Sequence, residues 1–199
     1  MKNIKVKLTF VEPILGSTPG DPEVARTYIA SKAENAAKIE DEIAAIGVDG
    51  VEEKTMTVFP KLEDGTPFLW DYQVRGFFKS ACNACNMMDA KNKLTAYKKK
   101  IDLLVFVDDR KIPYILPDGG KIGNLQRPLR AQTMQGERIA LANSEMIPAG
   151  TTATFGISVL DDALAKNVKS WLDYGRFNGL GQWRNGSYGR FTWELIDES

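Results

Sequence analysis

The sequence predicts an α+β domain: one antiparallel sheet with helices on a single face, plus a helical insertion and extra hairpins. Three observations carry that prediction. Residues 4–10 alternate apolar and polar, residues 74–88 place apolar side chains at helical spacing, and the C-terminal third reads strand, helix, strand. The skeleton is therefore strand, helix, paired strands, strand, helix, strand. That order is the split βαβ, or ferredoxin-like, pattern.

In the first strand Ile4, Val6, Leu8 and Phe10 face inward, and Lys5 and Lys7 give the other face a basic character. Pro13 to Gly20 reads as a loop. Asp21-Pro22-Glu23 is a helix start with proline at the first helical position. That helix is expected to run to about Ile46 and end at Gly47, so residues 21–47 are an insertion on the domain edge. Lys54 to Phe59 is a strand, and Glu63-Asp64-Gly65 a turn.

Asp71 is placed to cap the next helix, in which Val74, Phe77, Phe78, Ala81, Cys82, Cys85 and Met88 form one apolar stripe. Arg75 and Lys79 lie one turn apart and off that stripe. Asp102–Val107 and Lys111–Leu116 read as a hairpin turning at Asp108-Asp109, and Leu125–Gln132 as an extended segment carrying Arg127 and Arg130. With Arg138–Met146, these make residues 102–147 a hairpin insertion.

Thr151–Leu160 is a strand with Ala153, Phe155, Ile157 and Val159 inward. Its other face is small and polar, a surface on which something else can lie. Asp161 or Asp162 caps a helix burying Leu164, Val168, Trp171 and Leu172 and ending at Gly175. In the last strand Phe191, Trp193 and Leu195 point to the core. The free sheet face is then expected to carry Lys5, Lys7, Thr152, Thr154, Ser158, Tyr188 and Arg190.

Composition narrows the function. The 26 basic and 26 acidic side chains cancel, which argues against clinging to duplex DNA by bulk charge. The charge is uneven, however. Residues 70–138 hold 13 basic and 7 acidic side chains, compatible with a local anionic partner. Lys98-Lys99-Lys100 is read as a solvated run.

No apolar stretch approaches the roughly eighteen residues of a membrane span, and the chain is read as cytoplasmic, with no membrane partner. With no histidine, the usual general base and the commonest zinc ligand are missing. Cys82 and Cys85 form a C-x-x-C, but two further soft ligands are lacking. They are read as structural thiols, and no metal or cofactor is expected.

Between Trp171 and Trp193, five glycines, three arginines and several aromatics fall close together. Gly179, Gly181 and Gly186 suit a shaped backbone surface. Arg176, Arg184 and Arg190 offer planar cations for phosphate, and Trp183 and Tyr188 offer faces on which bases stack. A tight helix-to-strand connection with core aromatics is the plainer reading.

The run Gly179-Leu-Gly-Gln-Trp-Arg-Asn-Gly-Ser-Tyr-Gly-Arg-Phe191 resembles the glycine-rich loop and final strand of the repeat-associated mysterious protein (RAMP) superfamily, the RNA-binding subunits of CRISPR effector complexes. Leu69 to Ala81 resembles a degenerate form of that family's first helix, with Arg75 and Lys79 at its basic positions. The whole chain also looks like a group of small proteins from phages and prophages of Gram-positive bacteria. The resemblance implies a single RAMP-like domain over 1–199, related to the RRM fold.

It implies a non-catalytic binder of single-stranded RNA or DNA, RNA favoured. The strand is expected to lie along Arg75, Lys79, Arg127, Arg130 and the glycine loop, with phosphates on its backbone amides. Three alternatives stand beside it. One is a phage anti-defence protein that mimics a CRISPR backbone subunit and docks on a host CRISPR or other defence complex. Another is a sequestering protein for a nucleotide signal. The third is a Mg²⁺-dependent nuclease using Asp108, Asp109 or Asp118. A homo-oligomer is compatible with each.

Overall fold

The computed structural model describes residues 1–21, 56–133 and 136–199, with the side chains of 129–141 outside that description. The helix expected from Asp21 to Ile46 lies, beyond Asp21 itself, outside the described residues.

Alternation in sequence becomes a two-faced sheet. Strands β1 (Lys2–Phe10), β6 (Val105–Val107), β10 (Thr152–Val159) and β11 (Phe191–Glu198) form an antiparallel sheet in the order β11-β1-β10-β6. Numbered by their place in the skeleton, that is 4-1-3-2, the ferredoxin-like arrangement. Ile4, Val6, Leu8 and Phe10 of β1 are buried, as are Ala153, Phe155, Ile157 and Val159 of β10.

Two helices cover that face. In α1 (Asp71–Met88) the buried residues are Val74, Phe77, Phe78, Ala81 and Cys82. In α3 (Asp162–Asp173) they are Leu164, Ala165, Val168, Trp171 and Leu172, and Asp161 accepts from the Ala163 amide as N-cap. Phe78 meets Trp171 at 5.8 Å between ring centroids, and Phe77 meets Phe191 at 5.2 Å. Each buried ring of this kind stabilises the fold by about 1.5–3 kcal/mol through its removal from water.

Several expectations are corrected. Asp71 is the first helical residue and not the cap. It accepts from Arg75 and Arg110, while Gln73 Oε1 takes the Trp70 amide at 2.9 Å. Met88 is 73% exposed, because the helix outruns the sheet it covers. The hairpin around Asp108-Asp109 does not form. Residues 102–104 belong to α2 (Tyr97–Leu104), β6 pairs with β10, and β7 (Lys111–Pro113) pairs with β5 (Phe68–Trp70). Leu195 pairs with Val6, but at the sheet edge it is left 44% exposed.

The stretch from Pro13 to Gly20 contains two short strands, β2 (Ile14–Leu15) and β3 (Thr18–Pro19). With β4 (Thr57–Val58), β8 (Gly123–Thr133) and β9 (Gly136–Ile147) they build a second, five-stranded sheet. Its largest part is the β8–β9 hairpin, paired from Gly123↔Met146 to Thr133↔Gly136.

Candidate nucleic-acid interface

Residues 174–190 leave α3 through a 3₁₀ turn (Tyr174–Arg176) and pass a second one (Arg184–Gly186) before β11. The path is pinned from inside. Leu180 donates to Gly189 at 3.0 Å, Gly189 to Pro13 at 2.8 Å, and Gly186 and Ser187 to Trp183 and Arg184 at 2.9 and 3.0 Å. These amides are engaged within the protein, so the expected anion nest does not form from them. The hydroxyls of Thr57 and Ser144 both reach Gln182 Oε1 at 3.0 Å, which ties the loop to the second sheet.

At the loop's tip, Trp183 and Ser187 hold positive φ values of 53° and 70°. Side chains adopt that conformation only where surroundings impose it. The imposed geometry places Tyr188 parallel to Trp183, 5.2 Å between centroids and 15° between planes. Arg127, from the middle of β8, puts its guanidinium carbon 3.5 Å from the centre of the Trp183 ring. Gly186 leaves room for the indole, since a Cβ there would fall 2.8 Å from it. Trp183 remains 40% exposed.

Arg127 Nη1 is buried with no hydrogen-bond partner among the described residues. Burial holds its guanidinium below the ordinary arginine value, against the opposing influence of Tyr188. It remains a cation on an aromatic ring, an arrangement worth about 0.5–2 kcal/mol.

The other site residues divide by their partners. Lys7 pairs with Glu194 at 3.0 Å, Arg75 with Asp71 at 3.2 Å, Lys79 with Asp102 at 2.6 Å, and Arg190 with Glu12 at 2.7 Å. Arg176 and Arg184 have no ion-pair partner among the described residues, and Arg176 is exposed. The side chain of Arg130 is outside the described residues. Tyr188 and Arg190 precede β11 and so belong to the loop rather than the sheet face.

The open sheet face is not the basic platform the lysine alternation predicts. Lys7 is neutralised by Glu194, and Lys5 stands opposite Asp197. A pocket of about 280 Å³ there is bordered by Lys5, Asp108, Asp109 and Asp197. Asp108 accepts from Ser158 Oγ at 2.7 Å and Asp109 from the Gly156 amide at 3.3 Å. Among the described residues no group of three or more His, Cys, Asp or Glu is placed to hold a metal ion.

Thus the structure joins Arg127, Trp183, Gly186 and Tyr188 in one cluster, with Arg184 beside Trp183 in the chain. Lys5 and Lys7 sit on the sheet face, and Lys79 sits against α2. Thr57, Ser144 and Gln182, which hold the loop in place, carry no signal in the sequence, since their contact spans 125 residues.

No protein-family model matches the chain, and no curated protein matches it. Solved structures do share its fold. One is a chain in the cryo-EM structure of type III-B Cmr-beta bound to cognate target RNA. It is matched over 100% of this chain with TM-score 0.53 and 10% identity. This chain spans 60% of that one's length. Another is Cmr6 from Pyrococcus furiosus, matched over 96% of this chain and 98% of that one, with TM-score 0.51 and 9% identity. At such identities the likeness is one of fold, an α+β, ferredoxin-like architecture.

Proposed function

We propose that this protein binds single-stranded nucleic acid, RNA in preference to DNA, and does not cut it. The observation that carries this reading is the stack of Arg127 on Trp183 beside Tyr188, held on a fixed loop next to Arg184, which has no ion-pair partner among the described residues. A planar cation serves a phosphate, and the exposed Trp183 with the half-buried Tyr188 extends to a base, each stacked base adding about 1–3 kcal/mol. Binding without cutting is supported by Asp108 and Asp109, each of which commits one carboxylate oxygen to holding the sheet, Asp108 Oδ1 to Ser158 and Asp109 Oδ2 to the Gly156 amide.

Fold likeness to Cmr chains supports a CRISPR-related complex as the setting. Phage or prophage origin belongs to the same reading and rests on the sequence resemblance.

The test is fluorescence anisotropy with labelled single-stranded RNA and DNA at two salt concentrations, for wild type and for Trp183→Ala and Arg184→Glu. The expected result is salt-steep binding, tighter for RNA, weakened by both substitutions, with the strands intact after incubation with Mg²⁺. Binding that is flat in salt, or equal in all three proteins, overturns it.

A further inference from the structure

The helical layer carries a second cationic surface, which neither the fold nor the glycine loop accounts for. We propose that the loop between α1 and α2, with the first turn of α2, is a separate phosphate-backbone contact for a single strand. The ligand's identity rests on the nucleic-acid reading above. The place does not.

The surface has a defined shape. Asn86 of α1 accepts the Leu94 amide at 2.8 Å and donates to the Leu94 carbonyl at 3.1 Å. Tyr97 Oη reaches Asn83 at 3.3 Å. Asp89 accepts from the Asn92 side chain at 2.7 Å and from the amides of Asn92 and Lys91, which together hold its carboxyl below the usual range. So anchored, residues 93–99 line an open hollow of about 380 Å³.

Charge on this surface is one-sided. Lys91, Lys93, Lys98 and Lys99 are exposed and have no ion-pair partner among the described residues. The two nearby carboxylates are taken, Asp89 by its own loop and Asp102 by Lys79 at 2.6 Å. Lysines at positions 98–100 also crowd the start of α2, whose first turn holds no acid and whose N-cap, Ala96, makes no side-chain cap. Positive charge at the positive end of a helix opposes folding, and a bound anion relieves both.

The residue types point to nucleic acid. Lysine is depleted from protein–protein interfaces, where arginine and aromatics prevail. Sequence-independent phosphate contact is made by lysine as readily as by arginine. Leu94 and Tyr97, packed half-buried on the core beside these lysines, give the hollow an apolar wall against which a base or ribose fits.

The test compares wild type, Lys93→Gln/Lys98→Gln/Lys99→Gln, the corresponding triple arginine variant, and Arg184→Glu. Labelled single-stranded RNA is titrated from 50 to 200 mM salt, with melting curves as the control for folding. Losing three contacts makes the slope of log K against log salt shallower by about 2, and weakens binding about 100-fold at 0.1 M salt. The arginine variant is expected to retain wild-type affinity.

If the glutamine variant weakens binding and Arg184→Glu does not, this surface stands and the glycine-loop reading falls. If only Arg184→Glu weakens binding, the proposal is overturned and the loop reading stands. No RNA binding by wild type overturns both. Lysine-dependent binding of a labelled oligoglutamate peptide in place of RNA overturns it in favour of an acidic protein partner.

Discussion

Gly179 and Gly189 close the neck of the glycine loop against each other. A Cβ on Gly179 would fall 1.7 Å from the carbonyl oxygen of Gly189, and one on Gly189 would fall 1.7 Å from that of Leu180. Between them runs the Leu180-to-Gly189 hydrogen bond at 3.0 Å. At this neck glycine allows two backbones to touch, so these two positions serve architecture first and any ligand second.

Gly189 also holds φ +70°. Gly189→Ala therefore combines overpacking, about 1–3 kcal/mol, with left-handed strain of about 1–2 kcal/mol. Chemical denaturation is expected to show a loss of at least about 2 kcal/mol, together with weaker binding at the displaced tip. A variant as stable as wild type would mean the neck opens without cost.

Arg127 and Trp183 lie 56 positions apart, yet their contact moors the loop to the β8–β9 hairpin. A double-mutant cycle with Arg127→Met and Trp183→Leu is expected to give a coupling energy of about 0.5–2 kcal/mol in stability. Trp183 fluorescence should also shift on Arg127→Met alone. Additive losses would show that the two groups merely lie side by side.

Much of the central sheet was legible because its physics is local. Alternation in β1 and β10 and the 3–4 spacing in α1 and α3 reflect one covered face each, and burial agrees with both patterns. Features set by distant partners were not legible. β6 and β7 look like a hairpin from spacing, but each finds a better partner in β10 and β5. The second sheet brings β4 parallel to β9, across a chain separation that no period reveals.

The candidate site was half legible for the same reason. Residue types marked the loop as cationic and aromatic, but ion pairing is a tertiary fact. Nothing in the string shows that Lys7, Lys79 and Arg190 meet Glu194, Asp102 and Glu12, while Arg184 meets no carboxylate among the described residues. Nor does it show that the amides of Leu180 and Gly189 are spent inside the loop.

Arg184 at the tip and Arg190 at the neck consequently separate by assay. Arg190→Met strands Glu12, so its main effect is expected in stability, about 1 kcal/mol for a half-exposed pair. Arg184→Met is expected to leave the melting temperature within error and to lower nucleic-acid affinity severalfold at 0.1 M salt, as one lost phosphate contact does. A common loss of stability in both variants would make Arg184 a structural residue as well.

Cys82 supplies a pH prediction that needs no ligand. It is 1% exposed, beneath Trp171 and α3, and burial, followed by the neighbouring Cys85, pushes its thiol up from 9.0 to about 11. In the unfolded chain the thiol ionises near its ordinary value, so between these two values the native state binds more protons. Stability from this group is complete below about pH 9 and is lost as pH rises through about 11. Urea midpoints measured from pH 8 to 11 should therefore fall more steeply for wild type than for Cys82→Ala. The difference between the curves isolates Cys82 from Tyr114, whose burial raises its hydroxyl in both proteins. Alkylation at pH 8 should likewise be slow in the folded protein and fast in urea. Parallel midpoint curves would show that Cys82 ionises in the folded protein as easily as in the unfolded chain.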